Sequence, residues 1–168
     1  RLRAAEARAG SGPLLSLTPW KRTTCGLIVT GGEVAKGLVE DAFTPVIVEK
    51  LGAYGITVTH RCQPGDDRQA ITAAALEYHA QGVELILCTG GMSVDPDDNT
   101  PGAIKRTGAD IIAYGAPVLP GAMFLLGYFE DGTPIVGLPG CVMYAGRTIF
   151  DLILPKLAAG VPVAREDL

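Results

Sequence analysis

The chain has 168 residues, 48% of them hydrophobic, with a formal net charge of −4. That length favours one domain, whose core would cover about 70% of the surface of its unfolded chain. The acidic balance leaves no basic excess to follow a nucleic-acid backbone, and no apolar run reaches the ~18 residues of a membrane span.

Residues 1–22 read as a linker or arm. RLRAAEARA has helix-forming composition, GSGP breaks it, and LLSLTPWKR has no period, with Trp20 placed to pack on the body. The arm lacks the apolar segment of a signal peptide, and its start at Arg1 suggests a piece of a longer protein. The domain proper is expected over residues 23–168. CGLIVTGGE is a short apolar run ending in glycines, as suits a buried strand. EDAFTPVIVEKLGAYG then carries Phe43, Val46, Ile47, Leu51 and Tyr54 at helical spacing, closed by Gly52 and Gly55. ITVTHRC alternates and is β-branched, hence a second strand. PGDDRQAITAAALEYHAQG predicts a helix capped by Asp66 or Asp67, stopped at Gly82, with Ile71, Ala74, Ala75 and Tyr78 inward.

VELILCTGG is a third apolar strand. TPGAIKRTG is a short helix with Thr100 as cap and Pro101 at the first helical position, and ADIIAYG is a fourth strand. MFLLGYF and TPIVGL flank Asp131-Gly132 and predict a hairpin towards the C-terminus. PGCVMYAGRTIFDLILPKLAAG predicts one last helix that buries Val142, Ile149, Leu152 and Ile153, distorted near its end by Pro155. Strands alternating with helices imply an α/β fold: a three-layer sandwich with a mainly parallel sheet and helices on both faces.

In such sheets ligands bind beyond the carboxyl ends of the strands. Four loops qualify: Gly31-Gly32-Glu33, Asp66-Asp67, Thr89-Gly90-Gly91-Met92-Ser93 with the acids that follow, and Gly137-Leu138-Pro139-Gly140. A glycine pair ahead of a helix start exposes backbone N–H groups suited to an anion such as phosphate. Asp95, Asp97 and Asp98 would repel that anion unless Mg²⁺ joined carboxylate and phosphate oxygens. The competing reading is that Asp97, Asp98 and Asn99 make Asx turns or cap the helix at Thr100. Asp98, nearest the helix start, is the first candidate for the metal, with Asp67 or Asp66 as its partner. Glu33 taken alone is a loop acid, and His60 and His79 are structural. Cys25, Cys62, Cys88 and Cys141 lack metal-site spacing and read as small buried hydrophobes of a reducing compartment, hence an expected cytoplasmic location.

The order TGGEV, GDD, TGGMSVDPDDNTP, PGAM, GLPGCV resembles the molybdopterin-binding domain family, from about Thr24 to Gly160. That family includes molybdopterin adenylyltransferases, molybdopterin molybdenumtransferases and the matching domains of gephyrin. The resemblance implies molybdopterin, or its adenylylated form, as ligand or substrate, with Mg²⁺ and ATP or AMP, in molybdenum cofactor biosynthesis. It places the family's glycine-glycine-x-serine loop on Gly90 to Ser93, its helix-start acid on Asp98 and its capping acid on Asp67 or Asp66. It also implies a homo-oligomer, dimer or trimer. Three features depart from the pattern. Ala122-Met123 stands where molybdenumtransferases show a lysine and a proline, Cys141-Val142 stands where they show an asparagine and a proline, and Glu33 follows two glycines where the family shows Gly-Asp-Glu. These departures leave open a transferase, a carrier or sensor without chemistry, and, as a further alternative, a pyridine-nucleotide hydrolase related to the competence-damage proteins.

Overall fold

The computed structural model describes residues 15–32, 37–38, 40–93, 95 and 98–168. Glu33 and Asp97 lie outside the described residues. One six-stranded sheet organises the chain. Its strands are β1 (Thr24–Val29), β2 (Thr57–Cys62), β3 (Ile86–Thr89), β4 (Asp110–Tyr114), β5 (Leu125–Tyr128) and β6 (Pro134–Leu138), in the order β2-β1-β3-β6-β5-β4. β2, β1, β3 and β6 run parallel, while β5 is antiparallel to both β6 and β4. The hairpin forms as its turn residues predict, and β4 joins it to make an antiparallel half.

The four described α-helices are α1 (Phe43–Gly52), α2 (Arg68–Ala80), α3 (Thr100–Arg106) and α4 (Ile149–Ala158). The alternation of side chains along each strand divides the core in two. Leu27 and Val29 of β1, Leu87 of β3, and Val136 and Leu138 of β6 face α1 and α4, where Ile47, Leu51, Phe150 and Leu154 meet them. Ile28, Ile86, Cys88 and Ile135 point the other way, towards Ile71, Ala75 and Tyr78 of α2 and Ile104 of α3. Helices on both faces of the sheet complete the three layers.

The last segment differs from its expected single helix. Gly140–Met143 forms a 3₁₀ turn, and α4 begins only at Ile149. The break resets the helical phase. Ile149, Phe150, Ile153, Leu154 and Leu157 are buried, whereas Leu152 is 59% exposed. Asp151 holds the new start, accepting from Thr148 N at 2.7 Å and Thr148 Oγ1 at 3.0 Å. Its carboxyl sits below its ordinary value: burial would raise it, but bonds from Lys50 and Thr148 outweigh that. α4 runs through Pro155 to Ala158, giving up the one bond that a proline cannot donate.

The arm meets the body through Trp20, edge-on to Tyr54 with ring centroids 5.0 Å apart. The histidines are structural: His60 tilts against Tyr78, and His79 stacks on Phe129 and pairs with Asp131 at 3.0 Å. All four cysteines are free thiols.

Candidate functional site

Parallel strands in one direction place their carboxyl ends along one edge. Val29 lies beside Thr89, and Thr89 beside Leu138. With strands about 4.8 Å apart, the three loops after β1, β3 and β6 open within about 10 Å of one another. The loop after β2 flanks them.

A lattice of hydrogen bonds laces these loops. Thr30 Oγ1 donates to Thr89 O at 2.9 Å, and Thr30 N donates to the same oxygen at 2.8 Å. Thr100 Oγ1 lies 3.2 Å from Thr30 Oγ1. Thr30 already spends its proton on Thr89, so Thr100 is the donor. Thr100 was expected to cap α3; it is instead the first helical residue, and Asn99 stands at the cap without a side-chain cap bond. Gly90 makes this approach possible. Its φ is +84°, and a Cβ there would sit 2.6 Å from Thr30 O.

The acids divide their tasks. Asp67 caps α2, accepting from Gln69 N at 2.8 Å. Asp66 reaches across to the first loop and accepts from Gly32 N at 2.6 Å. Asp98 Oδ2 accepts from Ser93 N at 2.5 Å and from Ser93 Oγ at 2.6 Å. Two amides that a phosphate cradle would use are thus held by carboxylates. Among the described residues, the amides of Gly91 and Met92 make no hydrogen bond. Thr89 Oγ1 is fully buried without a partner among those residues, a state that a ligand or water relieves.

Met92 is 3% exposed and belongs to the core on the α2/α3 face. It lies over Gly137, whose absent Cβ would fall 2.6 Å from Met92 Cε. Leu138 is buried on the opposite face. Of the fourth loop, therefore, only Pro139 and Gly140 reach the rim, where Pro139 O accepts from Val142 N at 3.1 Å to start the 3₁₀ turn. The loop through Gly121 and Met123 packs on the start of α4, with Pro120 O accepting from Ile149 N at 3.3 Å.

Arg68 and Tyr114 were not singled out from the sequence, and Asn99 was read only as a turn or cap residue. Asn99 Nδ2 donates to Asp66 O at 3.0 Å, and Arg68 Nη2 donates to Asn99 Oδ1 at 2.8 Å. The signal for Arg68 was its place directly after the two aspartates. Tyr114, at the end of β4, has its phenol pushed up by burial and by the charge of Asp98. Its ring lies under Lys105, whose Nζ is 5.5 Å from the centroid. No spacing rule joins Tyr114 to Asp98, because the turn into α3 brings them together.

The described residues contain no group of three or more His, Cys, Asp or Glu able to cage a metal. Mg²⁺ does not need one. It is commonly held by one or two carboxylates, with substrate phosphates and water supplying the remaining oxygens. Asp98 fits that manner of binding, since only Oδ2 is engaged by Ser93. Asp67 fits less well, because its carboxylate already serves as a helix cap.

An open α/β sheet with glycine-bearing loops gathered at its strand tips defines a class of ligand-binding domain. The chain matches the family model described as "Probable molybdopterin binding domain" over residues 26–159, and it belongs to that family, the domain family of molybdenum cofactor biosynthesis. The molybdopterin molybdenumtransferase of Synechococcus elongatus is 31% identical over 152 residues, covering 85% of this chain and 38% of that protein. A CinA-like protein of Mycobacterium avium is 37% identical over 81 residues, covering 48% of this chain and 19% of that protein. The chain thus spans well under half the length of these relatives. The crystal structure of the tungsten cofactor synthesizing protein MoaB from Pyrococcus furiosus superposes with a TM-score of 0.62 at 20% identity, over 82% of this chain and 93% of that one. At that identity the likeness concerns the fold.

Proposed function

We propose that the strand-tip cleft binds molybdopterin by its phosphate, and that the chain acts on it as a Mg²⁺-dependent nucleotidyl or molybdenum transferase. The observation that carries this reading is the loop from Thr89 to Ser93. It combines amides at Gly91 and Met92 and a buried hydroxyl at Thr89, none with a hydrogen-bond partner among the described residues, with a carboxylate, Asp98, clamped on Ser93. Amides at a loop ahead of a helix favour an anion. Asp98, with Asp67 or Asp66 as second acid, would hold Mg²⁺ against the phosphate. Bound there, the metal would neutralise phosphate charge as a bond to phosphorus is exchanged. The chain's own part is to fix loop geometry, so that donors stand ready where negative charge gathers.

Incubation with molybdopterin, Mg²⁺ and ATP tests the reading through the release of pyrophosphate or AMP. Asp98→Ala is expected to lower turnover by at least ~10²-fold while the fold persists. Ser93→Ala, which removes one of two bonds to that carboxylate, should cost about tenfold or less. Turnover that survives Asp98→Ala at ordinary metal concentration contradicts the metal role. Tight molybdopterin binding with no nucleotide turnover in the wild type would instead identify a carrier.

The CinA-like similarity over 81 residues favours a second reading, the hydrolysis of a pyridine nucleotide. Turnover of nicotinamide mononucleotide, with no response to molybdopterin, would select it.

A further inference from the structure

We propose that Arg68 is a positioning residue of the cleft. Its guanidinium sets the amide of Asn99, and through that amide it keeps the loop after β2 in register with the loop after β3. The inference rests on reading the cleft as the molybdopterin site.

The argument starts from the donor and acceptor inventory. Asn99 Oδ1 accepts from Arg68 Nη2 at 2.8 Å, and Asn99 Nδ2 donates to Asp66 O at 3.0 Å. A carboxamide can rotate by half a turn and exchange its oxygen for its nitrogen. Here the exchange would set NH₂ against a guanidinium that only donates, and oxygen against a carbonyl that only accepts. Arg68 therefore selects one orientation, and that orientation alone ties Asn99 to Asp66. Both neighbours of this link act on ligand-facing loops. The Asp66 carboxylate holds Gly32 N, and Asp98, next to Asn99 in the chain, holds Ser93. One side chain thus registers the loops after β1, β2 and β3.

The seat of Arg68 is specific. The guanidinium lies against Gly102 of α3, where a Cβ would fall 3.0 Å from Nε and 3.1 Å from Cζ. Nε is buried with no partner among the described residues. A methionine would fill this space without burying an unpaired donor, so packing alone does not account for an arginine. Lysine keeps the charge but lacks the planar fork.

The test has one arm without ligand and one with it. In the ligand-free protein, Arg68→Met and Asn99→Ala should each speed hydrogen exchange at the Gly32 amide about tenfold, and the double variant should be no faster than either. In titrations of molybdopterin with Mg²⁺, Arg68→Met should weaken affinity about tenfold, Arg68→Lys should restore part of it, and the double variant should again show no added loss. Should Arg68→Met not fold, Gly102→Ala displaces the guanidinium and takes the same two readouts. Unchanged exchange at Gly32, or losses that add in the double variant, would overturn the proposal. A wild type that binds no molybdopterin while its exchange responds as stated would defeat the functional reading and leave the loop register standing.

Discussion

Gly90 and Gly137 are small for different reasons, and the difference is measurable. At Gly90 the backbone conformation is left-handed and the nearest obstacle is the carbonyl of Thr30, which cannot swing away. Gly90→Ala should destabilise the fold by about 2–4 kcal/mol through strain and clash together. At Gly137 the obstacle is the end of Met92, a flexible side chain, with Ile104 Cδ1 behind it at 3.2 Å. Gly137→Ala should cost about 1–3 kcal/mol as an overpacked core. Urea denaturation of both variants checks the order, and equal losses would contradict it. The glycine pair was legible in the sequence as a place where backbone comes close to something. For Gly90 the structure supplies one such neighbour, the tip of β1. The DD pair was legible as one cap and one acid to spare, and the structure assigns the cap to Asp67 and the bond to Gly32 to Asp66. Asn99 was legible as a turn or cap residue, but its link to Arg68 and Asp66 was not, because that link depends on two loops meeting, which spacing along one segment does not encode.

Among the elements, strand and helix identities followed periodicity, because each segment buries one face or both. Their ends were harder to read. The final apolar run looked like one helix since composition is continuous across it, yet Gly146 and the pairing of Thr148 with Asp151 start α4 afresh. Sheet order was equally hidden. β6 inserts beside β3 while β4 goes to the edge, and local pattern says nothing about which strand becomes a neighbour. At the pole opposite the cleft, Glu84 fastens the entry of β1. It accepts from Thr23 N at 2.6 Å, Thr23 Oγ1 at 3.0 Å, Thr24 N at 3.0 Å and Thr24 Oγ1 at 3.2 Å. Burial would raise its pKa, but these bonds outweigh burial and hold the carboxyl below its ordinary 4.5. A carboxyl depressed on folding stabilises the native state above its unfolded value, and that stability is lost as pH falls through the folded value. Glu84→Gln should therefore lower the thermal midpoint at pH 7, and the gap from wild type should narrow below pH 4.5. A gap that is constant with pH would rule out the charge as its source.

Across the described residues, one edge of the sheet gathers the glycine loops, the acids and the buried Thr89 hydroxyl, while the opposite edge carries the Glu84 latch and the hairpin turn. Membership of the molybdopterin-binding family and this concentration at the strand tips support the proposed account, in which loop amides receive the pterin phosphate and Asp98 faces it across a cation. A crystal structure of the chain grown with molybdopterin and Mg²⁺ tests that account most directly. It should show the phosphate against the amides of Gly91 and Met92, with the metal between it and Asp98 Oδ1. Pterin density away from the loops after β1, β3 and β6, or a phosphate seated there with Asp98 turned from it and no metal between, would contradict the account.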